Sequence, residues 1–131
     1  MLEARSMSTI DRDLAGRLAV TLADLPGVTG ALVSSVEGEV LGESGVGEPP
    51  RAAALATFIA HRAESLSLDG DLRGMGRLLA TGHLEHVAIS GDAGDALVLA
   101  PGSCFVFLTL QRAYPAASVA TPAYQLLRRY L

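Results

Sequence analysis

Apolar positions in the second half of the chain, from Leu84 to Leu110 (LEHVAISGDAGDALVLAPGSCFVFLTL), fall into three short runs. Residues 84–90, 95–100 and 103–110 are rich in Val, Ile, Leu and Phe, with Gly91-Asp92-Ala93-Gly94 and Pro101-Gly102 between them. This spacing predicts three strands joined by two turns. In the second run Leu97 and Leu99 alternate with Ala96, Val98 and Ala100; in the third, Phe105 and Phe107 alternate with Cys104, Val106, Leu108 and Leu110. Successive strand side chains point to opposite faces, so a strand apolar at both sets of positions is covered on both. The rest of the chain must therefore supply two covering layers.

Helical periodicity appears in three places. Ile10, Leu14, Leu18 and Leu22 recur every four residues, with Ala15 and Ala19 beside them and Arg12, Asp13 and Arg17 off the stripe. Ser8 or Thr9 can cap this helix, Asp11 and Asp13 suit its first turn, and Pro26-Gly27 ends it. A strand over 28–35, a turn at Glu37-Gly38 and a strand over 39–43 then read as an antiparallel hairpin. A helix over 50–66 follows, with Pro50 in its first turn. Its apolar residues Ala52, Ala53, Leu55, Ala56, Phe58, Ile59, Ala60 and Ala63 cover most of the circumference, leaving Arg51, His61, Arg62 and Glu64 as polar relief. A helix resting on one sheet needs only one apolar stripe. This one is either a central core helix or a helix held between its own sheet and a second subunit.

The segment 67–82 is broken by Asp69-Gly70-Asp71, where Asp71 can cap a short helix through Leu72, Met75, Leu78 and Leu79. After the meander, 111–120 reads as a loop, and Thr121-Pro122 as the start of a last helix with Tyr124, Leu127 and Leu131 on one side. Arg128 and Arg129 sit near its end, where cations are favoured. The order α-β-β-α-β-β-β-α predicts an α/β (α+β) domain. It has a five-stranded antiparallel sheet with the middle helix on one face and the terminal helices on the other. Residues 1–8 read as a flexible leader and 9–131 as a single domain.

Composition narrows the function classes. Half of the 131 residues are hydrophobic, 18% are charged and the formal net charge is −4. This argues against disorder and against a nucleic-acid surface. All ten basic residues are Arg, which removes a P-loop Lys, a Schiff-base Lys and a Ser-Lys dyad. The single Cys104 cannot form an internal disulfide, and neither a signal peptide nor a membrane span is visible, so a cytoplasmic protein without membrane insertion is expected.

The passage Leu25-Pro26-Gly27-Val28-Thr29-Gly30-Ala31-Leu32-Val33, the Gly38 turn, the Ala-rich middle helix and the LEHVAIS run before a Gly-Asp turn resemble the Roadblock/LC7 domain family. The resemblance runs from about Thr9 to Arg129. The chain departs from the family at the hairpin turn, which has Glu-Gly for the usual Asp-Gly, around 69–76, and before Pro122. The resemblance implies a profilin-like sheet joined through its first and fifth strands, with the third strand as a free edge. It also implies a homodimer that pairs this edge and stacks the middle helices, as the bacterial MglB-like small-GTPase regulators do. The implied interface is Leu55, Phe58, Ile59 and Arg62 on the helix with Leu84, His86, Ala88 and Ser90 on the edge. The implied partners are a second copy and a Ras-like small GTPase, bound and held or activated without catalytic chemistry or a cofactor from this chain. A non-catalytic dimeric adaptor in a signalling or motility complex is the alternative.

A third function class, a small-ligand enzyme or sensor, would have to use His61, His86 or Cys104. His83-x-x-His86 has residues three apart in a strand, which point to opposite faces and do not converge on a metal. Cys104 between apolar neighbours reads as a small buried hydrophobe. Asp69-Gly70-Asp71 lacks the further oxygens of a calcium loop, and Gly74 and Gly76 lack the third glycine of a dinucleotide fingerprint. Arg51, Arg73, Arg77 and Arg112 are each formally able to act as an arginine finger, with surface arginine as the default for all four.

Overall fold

The computed structural model describes residues 10–67, 86–91 and 94–131. Helix α1 (Arg12–Ala23) is capped by Asp11, whose Oδ1 accepts the Leu14 amide at 2.8 Å. The cap is therefore neither Ser8 nor Thr9; Asp11, expected inside the first turn, stands just before it, and Asp13 keeps its place there. Strands β1 (Val28–Ser34) and β2 (Val40–Ser44) form the expected hairpin. Gly38 takes φ 95° in its turn, and the Ser35 amide donates to the Glu39 carbonyl at 2.8 Å. Helix α2 (Pro49–Ser67), strands β3 (His86–Gly91), β4 (Gly94–Leu99) and β5 (Phe105–Leu110), and helix α3 (Ala116–Tyr130) follow. The expectations for the leader, for 68–82, for His83 and for Leu84 lie outside the described residues.

All strand pairs are antiparallel and the sheet order is β2-β1-β5-β4-β3, so β1 and β5 join the two halves and β2 and β3 are the edges. The doubly apolar strands are covered on both faces, as their pattern demands. On one face Leu97, Leu99, Cys104, Val106, Leu108 and Leu110 pack with Leu18 and Leu22 of α1 and Val119, Ala123 and Leu127 of α3. On the other, Leu32, Val98, Phe105 and Phe107 pack with Ala52, Ala53, Ala56 and Ala60 of α2. Cys104 is fully buried although β5 begins one residue after it.

The last helix differs from the sequence reading. It starts at Ala116, behind Pro115, and Pro122 lies inside it instead of opening it. A proline there has no N–H to donate and disturbs the preceding turn, at a cost of about 3 kcal/mol in a helix interior. Burial of Val119 and Ala120 ahead of Pro122 holds the extra turn in place. Leu131, expected on the buried side, is 49% exposed.

Of the two glycines on α1 and β2, only Gly42 sets how closely these elements approach. A Cβ added to Gly42 would stand 2.7 Å from backbone atoms of Ala15 and Gly16, whereas one added to Gly16 would meet nothing within 4 Å. Gly42→Ala should therefore push α1 off β2 and lower stability by about 1–3 kcal/mol. Gly16→Ala should raise it by about 0.5–1 kcal/mol, because only helix propensity changes. Urea unfolding of the two variants checks both signs.

Candidate functional site

At about 100° per residue, position 58 of α2 lies opposite the side that carries 52, 56 and 60. The buried side is almost all alanine, which lets the helix sit close to the sheet. The larger apolar residues point away: Phe58 is 62% exposed and Leu55 46%. Ile59, one of the expected interface residues, is half-buried and packs against the Phe105–Phe107 core. The Arg62 guanidinium stands over the Phe58 ring, 6.0 Å from its centre, at the outer limit of a cation–π contact. Arg51 is loosely paired with Glu48 at 3.9 Å. His61 is held differently, edge-on to Phe105 at 5.4 Å with Nε2 3.3 Å from the Val36 carbonyl, so it ties α2 to the β1–β2 turn. Scattered exposed apolar residues are ordinary, but Leu55 and Phe58 share one helix face beside an arginine, which is how interface cores are composed.

The sheet edge at β3, which no other described strand pairs, is the second feature. His86 pairs with Leu99, Ala88 with Leu97 and Ser90 with Asp95, and Leu97 and Leu99 belong to the α1/α3 layer. His86 accordingly meets Tyr124 of α3, with ring centres 6.4 Å apart. Ala88 is exposed and His86 half-buried. Val87 and Ile89 pair with Val98 and Ala96 on the α2 side, where Ile89 packs against the core. The structure thus divides the expected interface between two faces of the sheet. Leu55, Phe58 and Arg62 share the α2 side with Val87 and Ile89, which sequence reasoning did not single out, while His86 and Ala88 lie on the opposite side. The alternation of β3 was the signal available, but its phase relative to the helices is fixed only by the register with β4.

Among the described residues, those considered for chemistry are not gathered into a site. Cys104 lies in the α1/α3 layer and His61 on the α2 side, separated by the sheet. Burial pushes the Cys104 thiol up to about 11, opposed by a hydrogen bond from Ser103. Among the described residues no group of three or more His, Cys, Asp or Glu side chains is placed to hold a metal. Arg51 and Arg112 are exposed; Arg73 and Arg77 lie outside the described residues. An open surface hollow of about 540 Å³ on α1 is lined by Arg12, Asp13, Gly16, Arg17, Val20, Thr21 and Tyr130. No helix among the described residues is long and apolar enough to cross a membrane.

No family model matches the sequence, and no curated protein matches it. Solved structures do match in fold. A Roadblock/LC7 domain from Streptomyces avermitilis superposes with a TM-score of 0.69 at 21% identity, over 92% of this chain and 93% of that one. The gliding protein MglB from Thermus thermophilus gives 0.62 at 19% identity, over 91% and 89%. Profilin IB from Acanthamoeba castellanii gives 0.55 at 15% identity, over 88% and 94%. The chain has the Roadblock/LC7 fold, a profilin-like arrangement of one antiparallel sheet between two helical layers.

The thiol supplies a test of the reading that Cys104 is structural. Unfolded, it ionises near 9.0; folded, near about 11, so the unfolded state loses its proton first as pH rises. Stability held by the neutral buried thiol is whole below pH 9.0 and drains away toward pH 11. The stability difference between wild type and Cys104→Ala should stay constant up to pH 9.0 and shrink above it. A difference that is flat through this range would show that the thiol is not shielded from water.

Proposed function

We propose that this chain is a cytoplasmic homodimeric regulator of a Ras-like small GTPase, acting by binding and positioning without covalent chemistry of its own. The observation that carries the reading is the outward apolar face of α2, with Phe58 and Leu55 exposed on the same side of the sheet as Val87 and Ile89 of the open β3 edge. Two further facts support it: the fold shared with the gliding protein MglB, and the sequence resemblance to Roadblock/LC7 domains, whose bacterial members include small-GTPase regulators.

In the proposed dimer the β3 strands of two copies pair antiparallel about a two-fold axis, and the two α2 helices lie side by side over the seam. Phe58, Leu55 and Arg62 then meet the partner helix, with Val87 and Ile89 beneath them. The β3 backbone provides the edge, with His86 and Ala88 turned to the other face. The GTPase binds the completed dimer, and any change in hydrolysis comes from rearranging the GTPase's own residues.

Light scattering at micromolar concentration should give twice the chain mass for wild type. Phe58→Asp should weaken the dimer by about 10²–10³-fold, the effect of losing a central apolar anchor, with the circular dichroism unchanged. A wild-type monomer under these conditions would end the dimer reading. Incubation with the GTP-loaded small GTPases of the source genome, followed by sizing and phosphate release, tests the partner. Failure to bind any of them rejects the regulatory half.

A further inference from the structure

We infer that Arg12 is an edge guard: its guanidinium occupies the outward carbonyl of β2, so that a second copy can add to the sheet only through β3. The inference rests on the dimer reading for what happens at β3, but its own evidence lies at the opposite edge.

The geometry starts at the β1–β2 turn. The Ser35 amide donates to the Glu39 carbonyl at 2.8 Å, and the Gly38 amide to the Ser35 carbonyl at 3.0 Å. Gly38, at φ 95°, supplies the left-handed residue of this three-residue loop. Because the Glu39 carbonyl faces β1, the next carbonyl along the strand, that of Val40, faces away from β1. Among the described residues no strand lies on that side, since β2 ends the sheet. An outward carbonyl on an edge strand is what an incoming strand bonds to.

That acceptor is already engaged. Arg12 Nη1 donates to the Val40 carbonyl at 2.9 Å, while Nη2 holds Glu39 Oε2 at 2.6 Å. The Glu39 carboxylate takes the other arm of the same fork, as an exposed pair that adds little to the contact with the Val40 carbonyl. The base of the arginine side chain is positioned by the close approach of α1 to β2, which Gly42 permits. A register shift between Val33 and Ser34 and the short span of β2 make the edge still less regular. Among the described residues no ion pair falls at β3.

The consequence is closure. A molecule with two open edges joins head to tail without limit, whereas one with a single open edge stops at a two-fold pair. Arg12 thereby ends the assembly.

The test is Arg12→Ala in the full chain, compared with wild type and with Glu39→Ala. Sedimentation velocity over a wide concentration range should show a fixed mass for wild type. For Arg12→Ala it should show a mass rising with concentration by whole wild-type units, beginning with about a twofold step. Glu39→Ala leaves the guanidinium able to reach the Val40 carbonyl and should keep the wild-type mass. Thermal melting confirms that each variant is folded. Hydrogen exchange at the Val40 amide, which shares the outward side with the Val40 carbonyl, should slow in the Arg12→Ala assemblies, placing the new contact at β2. If folded Arg12→Ala keeps the wild-type mass, or if Glu39→Ala assembles equally well, the guard is refuted. A wild-type monomer would reject the dimer reading instead, and the gain in mass on removing Arg12 would still be diagnostic.

Discussion

Strands β1, β5 and β4 are apolar on both sides, and a strand of that kind is stable only between two layers. β5 shows the constraint most clearly, with Val106, Leu108 and Leu110 buried against the terminal helices and Phe105 and Phe107 against α2. Each fully buried side chain of this size is worth about 1.5–3 kcal/mol relative to exposure, so stripping either layer would forfeit many such terms. The strand order β2-β1-β5-β4-β3 places the doubly apolar strands in the middle and leaves the two more polar ones outside. Helix order along the chain follows from the same need: one helix must cross one face while the chain's two ends cover the other.

The two layers meet the need with different residues. The terminal helices contribute Leu18, Leu22, Val119 and Leu127, large side chains that fill space between helix and sheet. Helix α2 contributes alanines, and the space is filled from the sheet side by Phe105 and Phe107. Because its inward face is small, α2 has its large apolar residues left over for the outward face. The exposure of Phe58 and Leu55 is thus a product of how the core is partitioned, and it gives the helix a second surface without weakening the first.

Most of this architecture is written in local periodicity. The period-two runs, the four-residue repeat of α1 and the two-faced character of α2 all lie within single elements, and each emerged where it was expected. What escaped depends on contacts between elements. Thr121-Pro122 has the local form of a helix start, because proline suits the first turn. Burial of Val119 and Ala120 extends the helix past it all the same. Ser8, Thr9 and Asp11 are interchangeable as capping chemistry, and only the register of α1 selects Asp11. The face of β3 that meets α2 was equally hidden, since Val87, Ala88 and Ile89 are apolar on both sides and the pairing with Val98 and Leu97 decides the phase. The Arg12 contact joins residues 27 and 28 positions apart, with no local pattern to announce it.

The outward helix face and the open edge need one another. A backbone hydrogen bond contributes about 0.5–1.5 kcal/mol net, and association costs about 4–15 kcal/mol in lost freedom. A strand of six residues turns only alternate groups outward, so edge pairing through β3 alone would scarcely offset the cost of association. Two facing helix surfaces without the strand pairing would have burial but no fixed register. On one side of the proposed seam the chain offers both: the Phe58–Leu55 face above, and Val87 and Ile89 beside it on the edge strand. Residues turned to the other face, His86 among them, contribute less burial there because α3 already covers part of that side through Tyr124. In the proposed dimer the energetic centre therefore falls on the α2 side of β3, with the backbone of the edge setting the alignment and the helices supplying the driving force.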